Sequence, residues 1–326
     1  MSPGATTSPT MLFRVMRDGF ELDEAFAAYW PAYQKWIAKS KGRMSAKAAR
    51  EALAQHVPEL LPTYAALLAR FGDKADIARF LALYKPPPLV RGCTQAVWLG
   101  EGGPALVRNY DHAPHLSDGI VLHANWDDVS TVCMTDCIWG ALDGVNEHGL
   151  CVALAFGGRN VSGDGFAAPL LVRYALQTCT TASEAARAIA RVPCSMTYTF
   201  VCLDKNGDHA TVYAAPDRSS RIDHATASTN HQGKVEWPQY AISCKTVERL
   251  NRARDLLGDE GQTLGTLTQR FLEPPLYRAS YAKGSGTLYT SVYVPANGSL
   301  ALHWRGAALR QTIGRFEPAA IEVRLG

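Results

Sequence analysis

No stretch of this sequence approaches the roughly 20 consecutive apolar residues that a membrane-crossing helix needs, so no membrane span is expected. The first twenty residues also lack the apolar core of a secretory leader, because Met11-Leu12-Phe13 is interrupted by Arg14 and Arg17. A cytoplasmic location is the resulting expectation. Charge of one sign is equally scarce. Thirty-three Lys and Arg against 30 Asp and Glu leave a net charge of +3 with no basic block, which argues against nucleic acid as a partner. Paired cysteine motifs are missing too. The eight cysteines are scattered through apolar stretches without a C-x-x-C, and Cys133 and Cys137 have no second pair or nearby His to finish a zinc site. Buried reduced thiols are expected instead of disulfides. G-x-S-x-G, H-E-x-x-H and Walker signatures do not occur. Gly163-x-Gly165-x-x-Ala168 does not follow a strand as a dinucleotide fingerprint must. His112 and His115 flank Pro114 in a pattern that suits a loop better than a ligand set. No metal and no cofactor is implied.

What remains is an ordinary globular composition, 47% hydrophobic and 19% charged over 326 residues, enough for one large core. The first ninety residues read as helical, over 22–38, 45–56, 60–71 and 76–84, although Pro31 falls inside the first of these. Pro86-Pro87-Pro88 ends the series. Strand patterns follow at 96–99, 105–107, 119–124, 130–135 and 150–156. Helices are expected at 169–178 and 184–191, with Thr181 and Glu184 spaced as a capping box. Strands at 198–204 and 210–215 flank an Asn206-Gly207 turn, and helices return at 246–257 and 264–271. A last hairpin pairs 287–294 with 299–304. Strands and helices in such runs define an α+β layered domain with largely antiparallel sheets.

One cysteine differs from the others. Cys93 follows Gly92 at the mouth of the first strand of the 96–107 hairpin. Centring that hairpin near Gly102 sets Cys93 opposite Asp111, with Arg108 three residues back on the same strand. A cationic neighbour lowers a thiol pKa and favours the thiolate, and Asp111 could fix Arg108 through a bidentate pair. A surface ion pair beside an inert cysteine fits the same spacing equally well.

Gly92-Cys93-Thr94 and Arg108-Asn109-Tyr110-Asp111 resemble the N-terminal-nucleophile amide hydrolases. The nearest branch resembles the autoproteolytic acyltransferases similar to isopenicillin N / acyl-coenzyme A acyltransferase; choloylglycine hydrolases and acid-ceramidase-like amidases are more distant. Asp143-Gly144-Val145-Asn146-Glu147-His148-Gly149-Leu150, Phe156-Gly157-Gly158-Arg159, Thr229-Asn230-His231 and Gly286-Thr287-Leu288-Tyr289-Thr290 carry the likeness in order along the chain. It implies a four-layer αββα sandwich with mainly antiparallel sheets. A helical pro-segment, 1–92, would precede a catalytic domain, 93–326, and the chain would cut itself between Gly92 and Cys93. Cys93 is then the nucleophile and its freed amine the base, with Arg108 and Asp111 orienting both. Asn230 matches an oxyanion-hole asparagine. A second asparagine kept by some relatives is replaced here by Ala153-Leu154-Ala155-Phe156, which leaves a backbone N–H to serve. Arg249 matches an arginine downstream of the asparagine, but its predicted helix suits a solvated Arg as well. Tyr110 and Phe156 sit inside motifs and are the expected pocket aromatics. His148 and His231 read as structural or rim residues.

The implied partners are a small-molecule amide or acyl-thioester substrate and the chain's own pro-segment, and a homo-oligomer is compatible with layers of this kind. The motifs do not separate hydrolysis from acyl transfer. Two other readings stay open: an unprocessed, catalytically silent ligand-binding protein of the same fold, and a redox-sensing Cys93 thiol.

Overall fold

In a computed structural model describing residues 8–40 and 44–326, the chain opens on a strand. Residues 1–7, the start of the stretch read for a secretory leader, lie outside the described residues. β1 (Thr10–Arg17) buries Met11, Phe13 and Val15 in alternation and lies inside a sheet, parallel to β4 (Ile120–Trp126) and antiparallel to β15 (Ala319–Arg324). The N-terminal ninety residues are therefore not helical throughout, which corrects the sequence reading. Their helices do follow, as α1 (Phe20–Ile37), α2 (Ala46–His56), α3 (Leu61–Phe71) and α4 (Ala75–Ala82). The first runs on through Pro31. Ser45 caps the second, its hydroxyl accepting from the Ala48 N–H at 3.0 Å.

Two sheets carry the rest. β2 (Gly92–Trp98) and β3 (Ala105–His112) form the expected hairpin, and β12 (Gly286–Val294), β13 (Ser299–His303) and β14 (Ala308–Thr312) extend it on one side. The short β11 (Ala227–Ser228) closes the other edge against β2. This is a six-stranded sheet. The second sheet has nine strands: β1, β4 and β15 join β5 (Val129–Asp136), β6 (Gly140–Asn146), β7 (Leu150–Phe156), β8 (Tyr198–Asp204), β9 (His209–Ala215) and β10 (Arg218–Asp223). α5 (Ala168–Thr178) and α6 (Ala182–Arg191) cover its outer face, and Thr181 and Glu184 make the predicted capping box. α7 (Pro238–Cys244) leads into α8 (Thr246–Leu257), which with α9 (Leu264–Phe271) covers the six-stranded sheet. Helices, sheet, sheet, helices: the chain is a four-layer αββα sandwich, with β1–β4 the one parallel pair among the described strands.

The layers explain why β2 and β3 are buried on both faces. Val97, Leu106, Cys93 and Tyr110 point between the sheets, while Ala96, Trp98, Ala105 and Val107 pack against Leu250, Ala253 and Phe271 of α8 and α9. The N-terminal helices join the same continuous core on the side of α5, where Gln177 donates to the Thr63 hydroxyl at 2.7 Å. Trp139, fully buried, donates its indole N–H to the Leu81 carbonyl at 3.1 Å.

Candidate active site

The hairpin register decides which face each site residue occupies. Cys93 pairs with Tyr110, Gln95 with Arg108 and Gly92 with Asp111. The expected pairing of Cys93 with Asp111 is off by one residue, and a one-residue slip moves every side chain to the other face. In the observed register Cys93, Arg108 and Tyr110 share the inter-sheet face. Asp111 lies on the helix side, beneath Gly92.

Two predicted contacts change with it. Arg108 does reach the thiol, Nη2 to Sγ at 3.4 Å, but its ion-pair partner is Asp143 on β6 and not Asp111. The guanidinium also donates to the Leu154 carbonyl at 3.0 Å and the Tyr289 hydroxyl at 2.9 Å, and stacks 4.8 Å from the Tyr110 ring. Asp143 takes two further hydrogen bonds, from Tyr289 at 3.0 Å and Tyr293 at 2.5 Å. Asp111 instead accepts from Thr287 at 2.7 Å, with Arg278 and Arg249 at 3.6 and 3.8 Å from its other oxygen. The thiol is not acidified in the uncut chain. Full burial pushes the Cys93 thiol up, and the nearby Arg108 only partly offsets this.

Asn230 and Arg249 hold the backbone of Cys93 from the side. Asn230 sits just past β11, the strand beside β2, so it reaches Cys93 laterally. Its Oδ1 accepts from the Cys93 N–H at 3.0 Å, and its Nδ2 donates to the Phe156 carbonyl at 2.9 Å and the Arg91 carbonyl at 3.3 Å. Arg249 is not a solvated helix residue: it is fully buried on α8. Its Nη1 donates to the Cys93 carbonyl at 2.5 Å and Thr94 Oγ1 at 2.7 Å, its Nη2 to Asn230 Oδ1 at 2.6 Å and its Nε to the Cys244 carbonyl at 2.8 Å. Tyr110 and Phe156 are both fully buried here, one across the hairpin from the thiol and one below Asn230. His231 binds Thr246 Oγ1 at 2.9 Å, away from the thiol.

Gly92 has a steric reason to be glycine. A Cβ there would stand 2.9 Å from Asp111 Cβ and 3.1 Å from Arg278 Nη1. A cleft of about 780 Å³ reaches Gly92 and Arg91 from the helix side, between Tyr240 and Arg278.

Asp143 was visible only as part of a turn motif, and sequence reasoning missed its role because β6 was not recognised as a strand. It also missed Asp136 at the end of β5, which forms a buried ion pair with Arg91, and Asp118 beside it. The Tyr33 hydroxyl of α1 bridges these carboxylates, 2.5 Å from Asp118 and 3.1 Å from Asp136. Burial, and then the Asp136 charge, hold the Asp118 carboxyl up at about 7. The folded chain thus keeps a proton that the unfolded chain gives up at ordinary carboxylate pH. Stability is full below that range and declines as pH rises towards about 7, by at most about 1.4 kcal/mol per pH unit. Urea unfolding between about pH 5 and pH 8 should show this decline in the wild type and not in Asp118→Asn. An equal decline in the variant would remove Asp118 as its source.

This architecture, with a buried thiol at the head of an inner strand beside a guanidinium, defines an N-terminal-nucleophile hydrolase fold. Residues 98–308 match the family model of acyl-coenzyme A:6-aminopenicillanic acid acyl-transferase, and the chain belongs to that family. No curated protein sequence matches it. Similar solved structures include a penicillin V acylase from Agrobacterium tumefaciens, 15% identical, covering 72% of this chain and 92% of that one at a TM-score of 0.46. A conjugated bile acid hydrolase from Clostridium perfringens is 11% identical, covering 70% and 96% at 0.49. A Caenorhabditis elegans ortholog of N-acylethanolamine-hydrolyzing acid amidase is 14% identical, covering 63% and 93% at 0.44. Among the described residues no helix is long and apolar enough to cross a membrane.

Proposed function

We propose that the protein is a self-processing cysteine amidase or acyltransferase that cuts its own Gly92–Cys93 bond and then works through a Cys93 acyl-enzyme. The observation that carries this reading is the clamp on Cys93. Asn230 Oδ1 takes its N–H, Arg249 takes its carbonyl and Arg108 touches its sulfur. An inert buried cysteine needs none of these.

In the self-cutting step the Cys93 sulfur attacks the Gly92 carbonyl carbon. A C–S bond forms, the C–N bond to Cys93 breaks, and the thiol proton ends on the Cys93 nitrogen. Water then adds to the thioester carbon and the C–S bond breaks, leaving a Gly92 carboxylate and a free thiol. The freed α-amine has a reference pKa of about 7.7–8.0 against about 8.5 for a thiol, so it can take the thiol proton in later turnovers. Asp111 lies beneath Gly92 to orient that amine, and one of its oxygens has no hydrogen-bond donor among the described residues. Arg108 would hold the thiolate once the amine has the proton. Asn230, released from the Cys93 N–H, would turn its amide to the oxyanion. On this reading 1–92 is the small chain and 93–326 the large one. β1 would hold the small chain in the sheet after the cut. The substrate is a carboxamide or acyl thioester, and the acyl group passes to water or an amine.

Intact mass of purified protein tests the proposal. Pieces of roughly 10 and 25 kDa, the shares of 92 and 234 residues, are expected in place of 35.4 kDa. Cys93→Ala should stay whole. If both remain whole after long incubation near neutral pH, self-processing is wrong. The interleaving of β1 would then favour the other reading, a silent binding protein that keeps its lead as part of the sheet.

A further inference from the structure

We propose, resting on the acyl-enzyme reading above, that the acyl subsite beside Cys93 selects acyl groups that carry a cation, a guanidinium above all, and that Asp136 is the residue that selects them. The acyl part of the scissile bond is Arg91–Gly92, and the first thioester formed on Cys93 would carry that pair. The side chain of Arg91 marks where the far end of such an acyl group goes. Arg91 and Cys93 are two residues apart in extended chain, so both point to the same face, between the sheets. There the Arg91 side chain is 2% exposed, as is its partner Asp136, and its guanidinium lies 5.7 Å from the Tyr110 ring.

The pocket is built around that charge. Asp136 closes β5 at a turn whose next two residues, Cys137 and Ile138, have φ of 57° and 71°, a left-handed conformation costly for a non-glycine and doubly so for a β-branched side chain. The strained turn aims its N–H groups at the carboxylates, Cys137 at Asp136 Oδ1 (3.0 Å) and Ile138 at Asp118 Oδ2 (3.0 Å). With Tyr33 also on Oδ1, the remaining oxygen of Asp136 faces Arg91. The hold on Arg91 is partial. Its Nε and Nη1 find no acceptor, and the fully buried Tyr110 hydroxyl beside it finds no partner among the described residues. An incoming cation can therefore displace Arg91 once the chain is cut. Without one, Asp136 would be left as a buried carboxylate with no counter-charge, a costly state. An apolar acyl group leaves it so.

The test compares two acyl groups of equal shape. Self-cut enzyme is given Nα-acetyl-arginyl-glycine and Nα-acetyl-citrullinyl-glycine as para-nitroanilides and as thioesters, since citrulline replaces the guanidinium with a neutral urea. The arginyl compound should be preferred in kcat/KM by about 30-fold or more. Asp136→Asn should lose that preference, read as the arginyl-to-citrullinyl ratio within the variant whatever its absolute rate, which a merely structural role would not produce. Should the variant not fold, the wild-type ratio alone decides. Where neither compound turns over, protection of the Cys93 thiol from iodoacetamide by the two free peptide acids gives the same comparison. Equal rates or equal protection, a preference for citrulline, or a preference that survives in Asp136→Asn overturns the proposal. A chain that never cuts itself fails at the mass measurement, which brings down the proposed function itself. A cut chain blind to the cation brings down only this inference.

Discussion

Asp143→Asn should lower the unfolding free energy by about 3–5 kcal/mol, the cost of stranding a buried charge whose partner has been neutralised. Asparagine keeps the shape of aspartate but has a single acceptor oxygen; with that oxygen kept for Tyr293, its NH2 takes the Oδ2 place facing Arg108 and Tyr289, so the loss falls mainly on Arg108. That guanidinium is fully buried and forms its ion pair with Asp143. The double variant Arg108→Met with Asp143→Leu should regain most of the stability, because replacing a whole buried pair with apolar groups is often neutral. It should not regain self-cleavage, since nothing then supports the Cys93 thiolate. Urea unfolding and intact mass on the wild type and the two variants check both halves. If the double variant cuts itself at the wild-type rate, Arg108 has no part in the chemistry.

This prediction depends on a contact that the sequence did not reveal, and the reason is geometric. Most helices were readable because their apolar periodicity is local: the Thr181 cap and the bounds of α8 and α9 fall where the pattern puts them, whereas the short α7 went unread. β7 and β8 were equally legible as short apolar runs. β1 buries Met11, Phe13 and Val15 in alternation, but Leu12 and Met16 blur that pattern in the sequence, it stands ahead of four helices, and its partners β4 and β15 lie far along the chain. Long-range pairing of this kind leaves no local mark. β6 went unread because Gly140 and Gly144 dilute its strand character.

The site shows the same division. Cys93, Arg108, Asp111 and Asn230 were found by motif, and all four lie within one cluster at the end of β2. Their facing was not legible, because the loop between Trp98 and Ala105 does not fix the register to one residue. Internal consistency could have warned of the error. Arg108 and Asp111 are an odd number apart on one strand, so they cannot share a face. The pairing of Arg108 with Asp143 spans the two sheets and appears only when they are stacked.

Arg249→Met should slow self-cleavage by about 10²-fold or more, comparable to removing a preorganised donor from a reaction centre. The variant removes the donors to the Cys93 carbonyl, Thr94 and Asn230 Oδ1 in one step. Asn230 then keeps its orientation only through the Phe156 and Arg91 carbonyls on its Nδ2, having lost the donor that marks its Oδ1, and a flipped amide would set an N–H against the Cys93 N–H. Methionine fills a similar volume, and in losing the Arg249 cation the site keeps Asp111 with only Arg278 near its free oxygen. Lysine is the sharper control. It restores the charge and the balance with Asp111, but its single ammonium cannot span the Cys93 carbonyl and Asn230 at once. Arg249→Lys should therefore recover most of the stability while cleavage remains slow. A lysine variant that cuts as fast as the wild type would mean that the charge alone matters and that the fork holding Cys93 and Asn230 together does not.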